Sequence, residues 1–282
     1  MIFKTLASFF KGKRLLATFL VLVGTAGMIR LGFWQLDRLQ QRREFNAQVI
    51  KQTNELPLEL NNVLQNQSLP DTNLLTTMEY RKIDVVGEYD YKFEVALRNQ
   101  VYRDQYGVHL LTPLKIRGTE SWILVDRGWI PGSDFDSGKV TGEWPQFEEN
   151  GMVEISGIIR EAQTKPDFGN IADPTPIAGG DRISAWNFAN IPQMQKQIPY
   201  PLLPVYVQQA PDPDWKTLPY RSEPNLEITE GPHQGYAIQW FTFATILFFG
   251  YPVMLYREDH NRNKNNNVRE NTNRFSGEHT NG

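Results

Sequence analysis

Two apolar stretches, residues 15–34 and 237–256, bracket a long polar middle rich in β-branched and aromatic residues. Each is close to the roughly 20 residues that a helix needs to cross a ~30 Å hydrocarbon core. Only a helix makes such a crossing with its backbone groups satisfied within one segment. The layout predicts a membrane protein in which two transmembrane helices flank a mainly antiparallel β (α+β) extracytoplasmic domain. The expected divisions are an N-terminal segment 1–14, a first span 15–34, a helical extension 35–56, a β-rich domain 57–232, a second span 233–256 and a disordered tail 257–282.

Flanking charge sets the expected orientation. Lys4, Lys11, Lys13 and Arg14 precede the first span, with no acid among them. Arg257, Arg262, Lys264 and Arg269 follow the second. Cytoplasmic segments carry such an excess, so both termini read as cytoplasmic. In a bacterial source this is a two-pass protein of the inner (plasma) membrane, with its central domain in the periplasm. Arg38, Arg42 and Arg43 after the first span pull the other way. Long domains translocate largely regardless of charge, so the N-terminal cluster weighs more. A cleaved signal peptide is the rival for the first span, with Gly24-Thr25-Ala26 as a small-residue cleavage site. Against it, the apolar run continues through Met28, Ile29, Leu31, Phe33 and Trp34.

The 282 residues include no cysteine. That removes disulfides, Fe–S clusters, thiolate zinc sites and cysteine nucleophiles together. The net charge of -3 argues against nucleic acid as a partner.

Strand signals fall at 79–89, 92–101, 108–116, 122–130, 152–160, 184–188 and 205–209, with turn residues between them. Their spacing is too short for helical crossovers, so an antiparallel sheet or open barrel is expected. Residues 57–70 read as a polar linker. Residues 191–197 read as a short helix with Asn190 as N-cap. Residues 167–180 and 210–225, rich in Pro, Gly and Asp, read as loops. Residues 260–282 lack a hydrophobic period and read as disordered.

His233 is the sharpest candidate residue. Pro232 suits a first helical turn. On the helix that follows, His233, Tyr236, Ala237, Trp240 and Ala244 share a face. An imidazole above small and aromatic residues suits a flat apolar cofactor, with the ring as axial ligand to haem iron. A helix-capping or interfacial histidine explains the same spacing. On the first helix, Gly24, Gly27, Leu31, Trp34 and Arg38 fall near one side, where small residues allow close approach of a neighbour. Arg30 lies late in the span, either snorkelling or meeting an anionic group.

Elsewhere the signals are weaker. His109 reads as a structural histidine in a strand. Asp126-Arg127-Gly128-Trp129 reads either as a recognition surface or as a buried ion pair and turn. Asp134, Asp136 and Gly138 only faintly suit calcium. No nucleophile elbow, zinc-protease helix, phosphate loop or dinucleotide fingerprint occurs.

Several motifs together resemble the Surfeit locus protein one family, assembly factors for haem–copper cytochrome c oxidase. They are Leu31-Gly32-Phe33-Trp34-Gln35-Leu36-Asp37-Arg38, Arg81 with Gly87 and Tyr89, Gly107-Val108-His109-Leu110-Leu111-Thr112-Pro113-Leu114, Val125-Asp126-Arg127-Gly128-Trp129-Ile130-Pro131, and His233 with Tyr236, Ala237, Trp240 and Phe241. The resemblance runs from about Leu15 to Tyr256. It departs at Val108, where an aromatic is common, so nothing is carried over to His109.

The resemblance implies a role in building the oxidase catalytic subunit, and transient binding of haem a with His233 as axial metal ligand. Tyr236 and Trp240 would pack the ring, and Arg38 or Arg30 would pair with propionates. The expected partners are that subunit, other assembly factors and the lipid bilayer, and no enzymatic activity is expected. The rivals are a scaffold that never touches haem, an enzyme without motif support, and a membrane-anchored sensor.

Overall fold

The computed structural model describes residues 12–66, 71–138, 144–165, 173–176, 181–224, 226 and 228–277. The chain divides into two compact units, Met1–Asn46 with Ile228–Gly282, and Ala47–Glu227.

The first unit is built from two long helices, α1 (Lys13–Asn54, its last turns in the second unit) and α5 (His233–Gly277). Both are long and apolar enough to cross a membrane. Their buried positions show why these residues pack as they do. On α1 the buried residues Thr18, Thr25, Gly32 and Leu39 are spaced by seven, with Gln35 also buried. On α5 Ala237 and Ala244 repeat the same step. A seven-residue repeat is the seam of a left-handed helix pair. The pair is antiparallel: Thr18 bonds Tyr251 at 3.0 Å, and Arg14 grips Asp259 with bonds of 2.7 and 3.1 Å.

The expected tail is corrected here. α5 continues to Gly277, and residues 278–282 lie outside the described residues. No proline or glycine falls between Leu255 and Gly277 to stop the helix. Arg262 and Glu258 form an i,i+4 pair at 2.7 Å. Side chains 261–269 are exposed, so backbone bonds rather than packing maintain this stretch.

The second unit is a β domain. Its strands are β1 (Leu58–Glu59), β2 (Lys82–Tyr89), β3 (Val95–Tyr102), β4 (Gln105–Ile116), β5 (Trp122–Pro131), β6 (Met152–Glu161), β7 (Ala185–Trp186) and β8 (Leu202–Gln209). The sheet order is β1-β2-β6-β8-β5-β4-β3-β7, and β2 also pairs with β4. That second pairing closes β2, β6, β8, β5 and β4 into a barrel. Pairing is antiparallel except for β1–β2, β3–β7 and β5–β8.

Alternation explains the layers. Ile83, Val85 and Tyr89 of β2 join Ile123 and Val125 of β5, Ile155 and Ile159 of β6, and Val205 and Val207 of β8 in the largest core cluster. Leu124, one residue out of step on β5, packs instead with Leu111, Trp186 and Met194. β5 is therefore covered on both faces, which accounts for its unbroken run of buried residues.

Among the described residues the domain also has three short α-helices, α2 (Leu60–Gln65), α3 (Gly132–Gly138) and α4 (Ile191–Met194), and several 3-10 turns, of which Thr72–Met78 buries Leu75. α4 carries the expected cap, with the Asn190 side chain accepting from the Gln193 amide. α2 and β1 replace the expected linker at 57–70: Leu58 and Leu60 supply buried anchors, and the Asn61 amide bonds the carbonyls of Val86 and Arg117. Residues 67–70 lie outside the described residues, as do 166–172 and 177–180 of one expected loop. The described residues of 210–225 are irregular apart from a bridge between Tyr220 and Trp129.

Candidate functional site

His233 opens α5, and its ring is fixed across the helix pair. Nδ1 lies 2.8 Å from Gln35 Oε1. Gln35 is 9% exposed. With the amide oxygen facing the ring, Nδ1 carries the proton and donates, which leaves the Nε2 lone pair bare. A histidine that ligates a metal through one nitrogen usually donates the other to such an acceptor. Gly231, at φ +65°, lies beside the ring, where a Cβ would make ordinary contact at 3.4 Å from Cδ2 and 3.6 Å from Nε2. The segment leading into α5 is tied to α1 as well: Arg43 makes a two-pronged pair with Glu230 at 2.8 and 2.9 Å, and Arg42 bonds the Thr229 carbonyl at 3.1 Å.

An imidazole with one nitrogen held and the other bare is the donor a haem iron takes as an axial ligand, so the residues present fit that group. Trp240 lies half-buried two turns along α5, edge-on to Phe243 with ring centres 6.4 Å apart. Tyr236 is 47% exposed, on the outer side of α5. Arg38 is exposed, bonds Gln41 at 3.0 Å and stacks on Trp34 at 5.6 Å, both on its own helix. The structure thus joins His233 to Gln35, a residue the sequence reading did not assign to the site. The signal was present, because Gln35 follows Gly32 of the seven-residue seam by three.

The close approach of the helices is not where Gly24 and Gly27 put it. A Cβ on Gly27 would meet nothing within 4 Å, and one on Gly24 would only touch Leu247 at 3.4 Å. At Gly32 it would run into the Phe241 ring at 2.7 Å. Phe241 occupies the space that Gly32 leaves and meets Phe33 edge-on at 5.4 Å. The face bearing Gly27, Leu31, Trp34 and Arg38 is exposed.

In the β domain, the stretch from Asp126 to Trp129 is interior. The Arg127 side chain is 0% exposed and bonds Glu94 at 2.9 Å and Glu149 at 3.2 Å. Its guanidinium lies 5.0 Å from the ring centres of both Tyr89 and Tyr91. Thr112 donates to Glu94, and Arg127 donates to the Phe147 carbonyl. Burial pushes the Glu94 carboxyl up against the pull of Arg127 and Thr112. Burial also works against the Arg127 charge, and the surrounding carboxylates and phenols outweigh it, so the net shift of Arg127 is upward. The recognition-surface alternative for Arg127 is thereby set aside in favour of the buried ion pair.

His109 is structural in the same sense. Its Nδ1 lies 2.8 Å from Asp126, whose other oxygen accepts from the Gly128 amide at 3.0 Å. Burial lowers the His109 pKa, Asp126 raises it more, and the net shift is upward. Asp134 and Asp136 lie on α3, and among the described residues no three histidine, aspartate or glutamate side chains gather as a metal site. His260 is exposed and His279 lies outside the described residues.

A family model described as the SURF1 family matches residues 22–245, which include most of α1, the whole β domain and the start of α5. The chain is 24% identical over 235 residues to a SURF1-like protein of Caenorhabditis briggsae, covering 77% of this chain and 68% of that one. It is 24% identical over 244 residues to a SURF1-like protein of Monosiga brevicollis, covering 82% and 84%. It is 21% identical over 277 residues to Surfeit locus protein 1 of Arabidopsis thaliana, covering 78% and 73%. With the match running from α1 through the barrel to His233 and the start of α5, this chain belongs to the SURF1 family.

Proposed function

We propose that the chain is a two-pass membrane assembly factor for haem–copper cytochrome c oxidase that holds haem a and helps insert it into the catalytic subunit. The observation that carries this reading is the His233–Gln35 bond, which fixes the ring through Nδ1 and leaves Nε2 bare. Haem a, when bound, would supply a Lewis-acidic iron, and the His233 imidazole would hold it through Nε2. Gln35 orients that imidazole, and Trp240 gives the ring an aromatic wall. Tyr236 is exposed and would turn toward the porphyrin, and Arg38, also exposed, would exchange its Gln41 bond for a propionate.

α1 and α5 cross the bacterial inner membrane, the β domain faces the periplasm and both termini are cytoplasmic. The β domain recognises the catalytic subunit and other assembly factors, and the protein acts by binding rather than by catalysis.

The second reading is a scaffold that binds the oxidase subunit without haem. It is favoured by the same hydrogen bond, which also ties α5 to α1. Haem content of the detergent-purified protein, from cells confirmed to make haem a, separates the two. The haem-holding reading expects haem with wild type and almost none with His233→Ala. Wild type without haem sinks it and leaves the scaffold.

A further inference from the structure

The outer face of α1 carries a charge that the rest of the chain does not answer. Arg30 lies within the apolar stretch 15–34, about 6 Å of helix rise inside Trp34. It is off the contact seam. At 3.6 residues per turn, Thr25 and Gln35 lie about 140° round the helix from it and Gly32 about 160°. The other arginines of α1 are engaged: Arg14 pairs with Asp259, Arg38 bonds Gln41, Arg42 bonds the Thr229 carbonyl and Arg43 pairs with Glu230. Arg30 is exposed and, among the described residues, has no hydrogen bond or ion pair. An ionised side chain within a span is costly and is almost always paired.

Snorkelling to the outer surface is the simplest relief, and the helix geometry works against it. Helical side chains lean toward the N-terminus. Arg38 shows the lean, with its guanidinium reaching back over the Trp34 ring at 5.6 Å from the ring centre. With its N-terminus in the cytoplasm, α1 runs outward, so the same lean carries Arg30 toward the middle of the membrane and away from lipid phosphates. One turn earlier on this side, Gly27 leaves a notch. A Cβ there would meet nothing within 4 Å, so not even the Arg30 side chain fills it. A small residue beside a polar one is what allows helices to approach and bond in lipid.

The counter-charge has to come from another protein. Neither apolar stretch, 15–34 or 237–256, contains an aspartate or glutamate. A second copy related by a two-fold axis would also set Arg30 against Arg30. We infer that the Gly27–Arg30 face of α1 docks a transmembrane helix of a different protein, one that carries an aspartate or glutamate at the depth of Arg30. This rests on the reading that α1 crosses the membrane, and not on haem.

Photo-cross-linking of the full-length protein in the membranes of its own cells tests this. The probe is p-benzoyl-phenylalanine in place of Val23, which is 53% exposed and two turns from Arg30 on the same face. The expected adduct, sequenced by mass spectrometry, is a membrane-spanning peptide of another protein with an acidic residue in its span. Arg30→Gln should cut its yield about ten-fold, and Arg30→Lys should keep most of it. Arg30→Glu should abolish it, and a reciprocal acid-to-arginine change in the sequenced helix should restore it. Adducts with lipid alone overturn the inference and leave Arg30 to a phosphate. So do adducts only with a second copy of this chain, or a protein adduct whose yield ignores the residue at position 30. If alkaline carbonate strips the chain from the membranes, the membrane reading itself falls and takes the inference along.

Discussion

At the scale of single residues, the account depends on which polar groups are held and which are left bare. Gln35→Leu removes the acceptor for His233 Nδ1, so the ring loses both its tautomer and its orientation. Loss of such a partner costs about 10–100-fold in metal affinity. The haem-holding reading expects Gln35→Leu to weaken haem retention within that range, while Gln35→Glu retains it. A retention unchanged in Gln35→Leu, measured by spectral titration, refutes the role given to Gln35.

Arg127 gives a sharper energetic prediction. Removing one partner of a fully buried ion pair costs about 3–5 kcal/mol, because the other charge stays buried alone. Arg127→Met should destabilise the β domain by about that amount in denaturant unfolding followed by tryptophan fluorescence. Arg127→Met with Glu94→Leu should cost clearly less than the two single changes added, since neither charge then remains. Additive losses would show that the pair is not coupled.

His109 supplies a pH dependence. Its folded pKa is raised above the unfolded 6.5 by Asp126. The stabilisation is therefore fully present below about pH 6.5 and is lost as pH rises through the folded value. Asp126→Asn should flatten the stability profile in that window. A wild-type profile that rises with pH there contradicts the assignment.

At the scale of elements, the helix pair rests on Gly32. Gly32→Leu drives a side chain into Phe241 and should separate α1 from α5, whereas Gly27→Leu projects into open space. The chain has no cysteine, so an engineered pair reports cleanly. With Thr18→Cys and Tyr251→Cys, bridged by a short bis-maleimide that spans the space left by the tyrosine ring, cross-link yield in membranes should fall with Gly32→Leu and persist with Gly27→Leu. Equal yields would place the contact elsewhere.

Much of this scale was legible in the sequence. The strands appear where alternation of β-branched and aromatic residues put them, within a few residues at each end. Asn190 caps its helix through a bond local in sequence. What escaped was non-local or carried by single residues. Closure of the barrel depends on β2 meeting β4, and no alternation pattern within β2 says which strand lies beside it. Residues 57–66 read as linker because only Leu58 and Leu60 anchor them. The α1–α5 contact was not legible because two members of its Thr18, Thr25, Gly32, Leu39 repeat are polar, so the repeat does not read as an apolar stripe.

At the scale of the whole molecule, the claim is a two-pass protein with both ends in the cytoplasm. Tyr106 is 82% exposed in the β domain, and Arg262 is exposed on the far part of α5. In intact spheroplasts of a bacterial host, a membrane-impermeant maleimide should label Tyr106→Cys and not Arg262→Cys until the membrane is opened. The reverse pattern would invert the topology and place the haem site at the cytoplasmic face.

The site itself was partly legible. His233 stood out through its place at the start of an apolar helix, but the sequence could not show that a glutamine 198 residues away holds its ring. The most direct test of the account is the absorption spectrum of full-length protein purified from cells making haem a, for wild type and for His233→Gly with and without added imidazole. The account predicts a Soret band in wild type, its loss in His233→Gly and its return with imidazole. Equal haem in wild type and His233→Gly, or none in wild type, would contradict it.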